Sequence, residues 1–164
     1  PQSLLKPAKR GALVEALFQG SRHNDISLHF NKGLAGATPE ALASARHVAT
    51  NPTVLDAFAL AITADGGASR YPGLPNAPRD DAKAVRDART VDASIAPLNR
   101  IAPNGGSYVS ESNSFNANWA QAFWGANYPK LRAVKAKYDP DGLFIVHHGV
   151  GSEGWSDDGF VRHA

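Results

Sequence analysis

Residues 119–144 read WAQAFWGANYPKLRAVKAKYDPDGLF, and the order of helix formers and breakers in this run decides the fold. Residues 115–124 read as a helix that Gly125 breaks. Asn127 is placed to cap a second helix, and Pro129 suits its first turn, where a missing N–H costs little. Leu131 and Val134 lie three apart and are expected to bury one face of it. Asp139-Pro140 then turns the chain into Leu-Phe-Ile-Val at 143–146, which reads as a strand.

Working upstream, 107–110 reads as a short extended piece behind the breaker Pro103-Asn104-Gly105-Gly106. Residues 80–100 form a long amphipathic helix with Val85, Ala88, Val91, Ile95 and Leu98 on one face. The proline- and glycine-rich stretch 68–78 is a loop. Residues 54–63 permit a helix through their alanines. Yet Phe58, Leu60 and Ile62 alternate and Asp65-Gly66-Gly67 ends the run, so a strand is predicted. Thr38-Pro39-Glu40 opens a helix to about residue 48, with a hydroxyl N-cap, a first-turn proline and an acid. Ile26, Leu28 and Phe30 alternate with polar residues as in a half-buried strand, followed by a turn at Asn31-Lys32-Gly33. Leu13, Leu17 and Phe18 mark a helix over 9–19, ended by Gly20. The tail from His147 reads as loop. Helices and strands mix at uneven spacing, and no glycine-rich βα turn opens a dinucleotide fold. The pattern predicts an α+β fold with an antiparallel sheet covered by helices.

The 164 residues are 43% hydrophobic and 20% charged, an ordinary globular composition. A net charge of +2 is too small to imply a nucleic-acid partner. The basic group Lys130, Arg132, Lys135 and Lys137 reads as a solvated helix face. No apolar run is long enough to span a bilayer, the N-terminus lacks a signal-peptide pattern, and the compartment stays open. Cysteine is absent, which removes disulfides, thiolate metal sites and cysteine nucleophiles. Methionine is absent too, even at position 1, so a fragment or processed product is expected.

Several motifs fail on their own terms. Residues 149–154 match G-x-G-x-x-G, but too little chain follows for the βαβ unit that gives the motif its meaning. His147-His148 would point to opposite faces of a strand, which makes a shared metal awkward. One of the two packing beside a bound ligand is the better reading. Asp139-Pro140-Asp141-Gly142 and Asp157-Asp158-Gly159 are turn chemistry, without calcium-loop spacing. No serine sits in a nucleophile elbow. Tyr108-Val109-Ser110-Glu111-Ser112-Asn113 carries a phenol, a carboxylate and an amide that could supply a base, a donor and a ligand anchor. By pattern alone an exposed loop is favoured there, with Tyr108, Ser110 and Ser112 on one face and Glu111 and Asn113 on the other.

Set in order, Trp119, Trp124-Gly125, Asn127-Tyr128, Leu131, Lys135, Tyr138-Asp139-Pro140 and Phe144 resemble the C-terminal motif of berberine-bridge-enzyme-like FAD-linked oxidases. Lys130 stands where arginine is commoner. Stretches 27–37 (SLHFNKGLAGA), 51–58 (NPTVLDAF) and 146–155 (VHHGVGSEGW) are similar to microbial members of the same vanillyl-alcohol-oxidase-type superfamily.

The resemblance implies an enzyme whose FAD is held mainly by an N-terminal domain that this chain lacks. An antiparallel substrate domain would occupy residues 1–101 and the berberine-bridge segment 102–164. It implies oxidation of a hydroxyl-bearing small molecule or sugar: a proton goes to a protein base, a hydride to flavin, and oxygen is the usual acceptor. Residues 108–113 match the flavin-proximal stretch, with Ser110 where many relatives have asparagine. Tyr108 and Glu111 are the expected acid/base residues. Ser110, Asn113 and His148 are the expected flavin contacts, and His29 and Asn31 the expected substrate contacts. The expected partners are the N-terminal FAD-binding domain and the substrate, with no nucleic acid and no membrane. The chain alone is expected to be inactive. The alternative is a non-catalytic binding module or one half of a split flavoenzyme. A hydrolase built on His147, His148 and the acidic tail is a weaker third reading.

Overall fold

The computed structural model describes residues 1–31, 34, 36–67, 75 and 78–163. The predicted turn at Asn31-Lys32-Gly33 and the loop over 68–78 lie largely outside the described residues. The chain divides into two compact units, Pro1–Asn31 with Phe58–Pro103, and Lys32–Ala57 with Asn104–Ala164. Together they form an α+β structure.

In the first unit a 3-10 turn, Gln2–Leu5, leads into helix α1 (Pro7–Ser21). Strands β1 (Ser27–Phe30) and β2 (Ala59–Ile62) pair antiparallel, with Ser27 opposite Ile62 and Phe30 opposite Ala59. Helix α3 (Asp81–Ile101) starts on Asp80, whose carboxylate accepts from the Lys83 N–H at 2.7 Å as an N-cap. α1 and α3 pack on each other. Gly20 does not end α1 but lies inside it, buried, where a Cβ would come within 2.4 Å of the Ser94 carbonyl oxygen. The helices approach there because glycine has no side chain. Leu4, Leu13 and Ala16 are buried beside this contact, as are Ser94 and Pro97 of α3. Val85 on the same helix is exposed, so only the C-terminal half of the predicted apolar face is used. Phe30, expected half-buried, is exposed as well.

The second unit holds helix α2 (Pro39–Ala45), whose N-cap Thr38 accepts from the Ala41 N–H at 3.3 Å. A 3-10 turn follows at Pro52–Asp56, so the strand predicted over 54–63 begins only at Ala59. Helices α4 (Trp119–Trp124) and α5 (Tyr128–Tyr138) are joined by the 3-10 turn Gly125–Asn127. α4 starts later than expected. The Asn113 and Asn116 side chains accept from the N–H groups of Phe115 and Asn118 at 2.8 and 3.0 Å, and such local bonds compete with a helix.

Two expected extended segments are not strands. Residues 109–111 close a 3-10 turn, with the Glu111 N–H donating to the Tyr108 carbonyl at 3.1 Å. The strict face alternation expected over 108–113 is therefore lost. The run 143–146 has no strand partner among the described residues. The Asp139 carboxylate accepts from the N–H groups of Leu143 and Phe144 at 2.8 and 3.0 Å, and the Lys135 ammonium donates to the Phe144 carbonyl. Side chains have taken up groups that a sheet would need.

Candidate functional site

The second unit is organised around a corner at 124–128. Gly125 has φ +53 and ψ −131, a conformation that suits glycine. A Cβ on it would lie 2.7 Å from Asn51 Oδ1. Asn51 is buried. Its amide donates to the carbonyls of Gln121 and Ala122 at 3.1 and 2.8 Å, and its Oδ1 accepts from the Thr53 N–H and hydroxyl at 3.1 and 3.0 Å. The Ser107 N–H also donates to the Ala122 carbonyl at 2.9 Å. One buried amide thus ties residues 51–53 to the end of α4, where the arm carrying 107 also attaches. Asn127 makes no side-chain cap on α5. Its amide donates instead to the carbonyls of Val48 and Thr50 at 2.9 and 3.0 Å.

An aromatic cluster covers this corner. Trp124 stacks on Tyr128 with centroids 5.6 Å apart, and Trp119 meets both edge-on. Phe123 is buried against Trp124. The Tyr128 hydroxyl donates to Glu153 Oε2 at 2.5 Å and accepts from the Gly151 N–H at 3.2 Å. Glu153 also pairs with Arg132 at 3.0 Å. Burial, aided by the hydrogen bond to Glu153, pushes the Tyr128 phenol up to about 12. Lys135 pairs with Asp139. The basic face of α5 is therefore partly neutralised rather than simply solvated.

The expected site residues fall in both units. His29 and Asn31 lie at and just past the end of β1 in the first, both exposed. Tyr108, Ser110, Glu111 and Asn113 lie in the second, all exposed on and beside the Val109–Glu111 turn. His148 is also in the second unit, half-buried and stacked on Trp119 at 5.3 Å. His147 and His148 do not point apart as strand neighbours would: they sit in a turn with ring centroids 3.8 Å apart. With Trp119, Glu153, Trp155 and Asp157 they line a cleft of about 250 Å³. The sequence reading missed Asn51 and the Tyr128–Glu153–Arg132 group. Their signal was weak, because each joins residues more than twenty positions apart.

The arrangement of Trp124-Gly125, Asn127-Tyr128 and Asp139 is the physical content of the sequence motif. Residues 76–151 match the family described as "Berberine and berberine like". The chain carries a berberine-bridge-like segment and is similar to FAD-linked oxidoreductases of that type. It is 31% identical over 163 residues to the "VAO-type flavoprotein oxidase VAO615" of Thermothelomyces thermophilus, a match covering 99% of this chain and 26% of that protein. Over 55 residues it is 51% identical to the "FAD-linked oxidoreductase notD'" of Aspergillus versicolor, covering 34% of this chain and 9% of the relative. Over 57 residues it is 45% identical to the "Flavin-dependent oxygenase ucdF" of Aspergillus ustus, covering 35% and 10%. The chain thus spans about a quarter or less of the length of these berberine-bridge-like relatives. No solved structure matches it.

Proposed function

We propose that the chain supplies the substrate-domain part (1–101) and the berberine-bridge segment (102–164) of an FAD-dependent oxidase acting on a hydroxyl-bearing small molecule or sugar. The observation that carries this reading is the corner at 124–128. Asn51, Gly125 and Asn127 fix it, and the arm attached to it through Ser107 presents Tyr108, Ser110, Glu111 and Asn113 outward. The partner that the reading requires is an FAD-binding domain elsewhere in the full-length protein.

The donor set suits a flavin on chemical grounds: a phenol, a hydroxyl, a carboxylate and an amide are gathered on one exposed turn and its flanks. Ser110 and Asn113 would hold the ring by hydrogen bonds. His148, already stacked on Trp119 and His147, would support the 146–149 turn beside it. When bound, FAD supplies the hydride acceptor, and oxygen would take the electrons afterwards. Glu111 takes the proton of the substrate hydroxyl, while Tyr108 hydrogen-bonds the same oxygen as it becomes a carbonyl. In the first unit, His29 and Asn31 are the proposed substrate contacts.

Tyr108→Phe and Glu111→Gln in the full-length protein test these roles. Each is expected to lower turnover by about 10²-fold or more, with flavin content retained. Unchanged turnover in both would overturn the assignment. Phe115, Leu143, Phe144 and Phe160 are each more than three-quarters exposed, a surface that favours a chain inactive until covered by the rest of the protein.

A further inference from the structure

The turn at 146–149 joins two imidazoles that consecutive residues seldom bring together. The Gly149 N–H donates to the Val146 carbonyl at 2.9 Å, and His148 adopts φ +59, an uncommon left-handed conformation for a residue with a side chain. The rings of His147 and His148 stack at 3.8 Å and 27°, and His148 lies nearly parallel to the Trp119 indole at 5.3 Å and 14°. His147 Nε2 lies 2.9 Å from the Ser114 carbonyl, so that nitrogen carries its hydrogen whether or not the ring is charged.

The charges around the pair are few. Helix α4 (WAQAFW) brings Trp119 and Phe123 against it and has no charged residue. From the tail, Glu153, Asp157 and His163 line the same cleft. Glu153 is engaged by Tyr128 and Arg132. Asp157 favours charge on His148, while burial and the neighbouring His147 oppose it more strongly and hold His148 below its ordinary value.

We propose that the His147–His148 pair is an acid-released latch, stacked on Trp119 while at most one of its rings is charged and parting from it when both are. Two cations in stacking contact repel, so charging the second ring works against the stack. The opposing effect is cation–π attraction between a charged His148 and Trp119, which would tighten the stack in acid instead. Motion is confined to the turn, because Glu153 on Tyr128 and the Trp155–Arg162 bridge hold the tail independently. The proposal goes beyond the flavin reading and does not depend on it.

NMR titration of the 164-residue chain between about pH 8 and pH 5 decides it, following the imidazole Cε1 protons and the Trp119 indole. The expected result is that His148 titrates below 6.5 and loses its ring-current shift in the second of two steps. In His147→Gln the repulsive partner is gone, so His148 should titrate at higher pH and keep the shift throughout. In His148→Asn, which tolerates the left-handed turn, the Trp119 resonance should become insensitive to that step. The wild-type result suffices by itself: His148 titrating above 6.5, or a ring-current shift preserved with both rings charged, would overturn the latch.

Discussion

Asn51 does the most with one side chain. It meets four polar atoms while buried; Gly125 comes too close to it to carry a Cβ, and a Cβ on Gly106 would meet the Thr53 hydroxyl at 2.6 Å. Asn51→Ala should destabilise the second unit by about 3 kcal/mol, since it removes four hydrogen bonds and leaves the Thr53 N–H and hydroxyl without their acceptor. Gly125→Ala should cost about 2 kcal/mol or more, from positive φ and the clash with Asn51. Because the two share Asn51, their costs should not add. Urea unfolding of the two single variants and the double variant checks both statements. Tyr128→Phe, which removes the bonds to Glu153 and Gly151, should cost only about 1 kcal/mol by the same assay. None of this was legible at position 51. Asn-Pro reads there as a helix stop, and the amide's carbonyl partners lie seventy positions downstream.

At the scale of elements, the sequence was readable where backbone groups find local partners. Thr38 starts the helix that its cap chemistry predicts, and the breaker at Gly125 falls where expected. Reading failed where side chains took over the backbone. Asp139 consumes the donors of a predicted strand, and Asn113 and Asn116 delay the start of α4. Asp139 is held below its ordinary value of 3.8, first by Lys135 and then by the Phe144 N–H. A depressed carboxylate contributes stability above its unfolded value and loses it as pH falls through the lower folded value. Acid unfolding of the 139–144 segment should therefore sharpen below 3.8, and Asp139→Asn should flatten that limb of the profile. In the first unit, Gly20→Ala should force α1 and α3 apart at Ser94 and cost about 1 to 3 kcal/mol, measured by thermal unfolding.

For the whole molecule, fold class and family resemblance were more legible than connectivity. Residues 32–57 pack with 104–164, although they lie far apart along the chain and no periodicity links them. The family was legible because 119–144 carries closely spaced glycine, asparagine, tyrosine and aspartate residues, each of which the structure uses. The proposed catalytic roles were less so: Tyr108 and Glu111 stand exposed, and what would enclose them belongs to the proposed FAD-binding partner. The central claim is best tested by anaerobic titration of the full-length protein with alcohols and sugars, read by the visible absorption of bound flavin. The account predicts a yellow protein whose band bleaches with one of these substrates, and more slowly in Glu111→Gln. A full-length protein that is colourless and takes up no added FAD would contradict it.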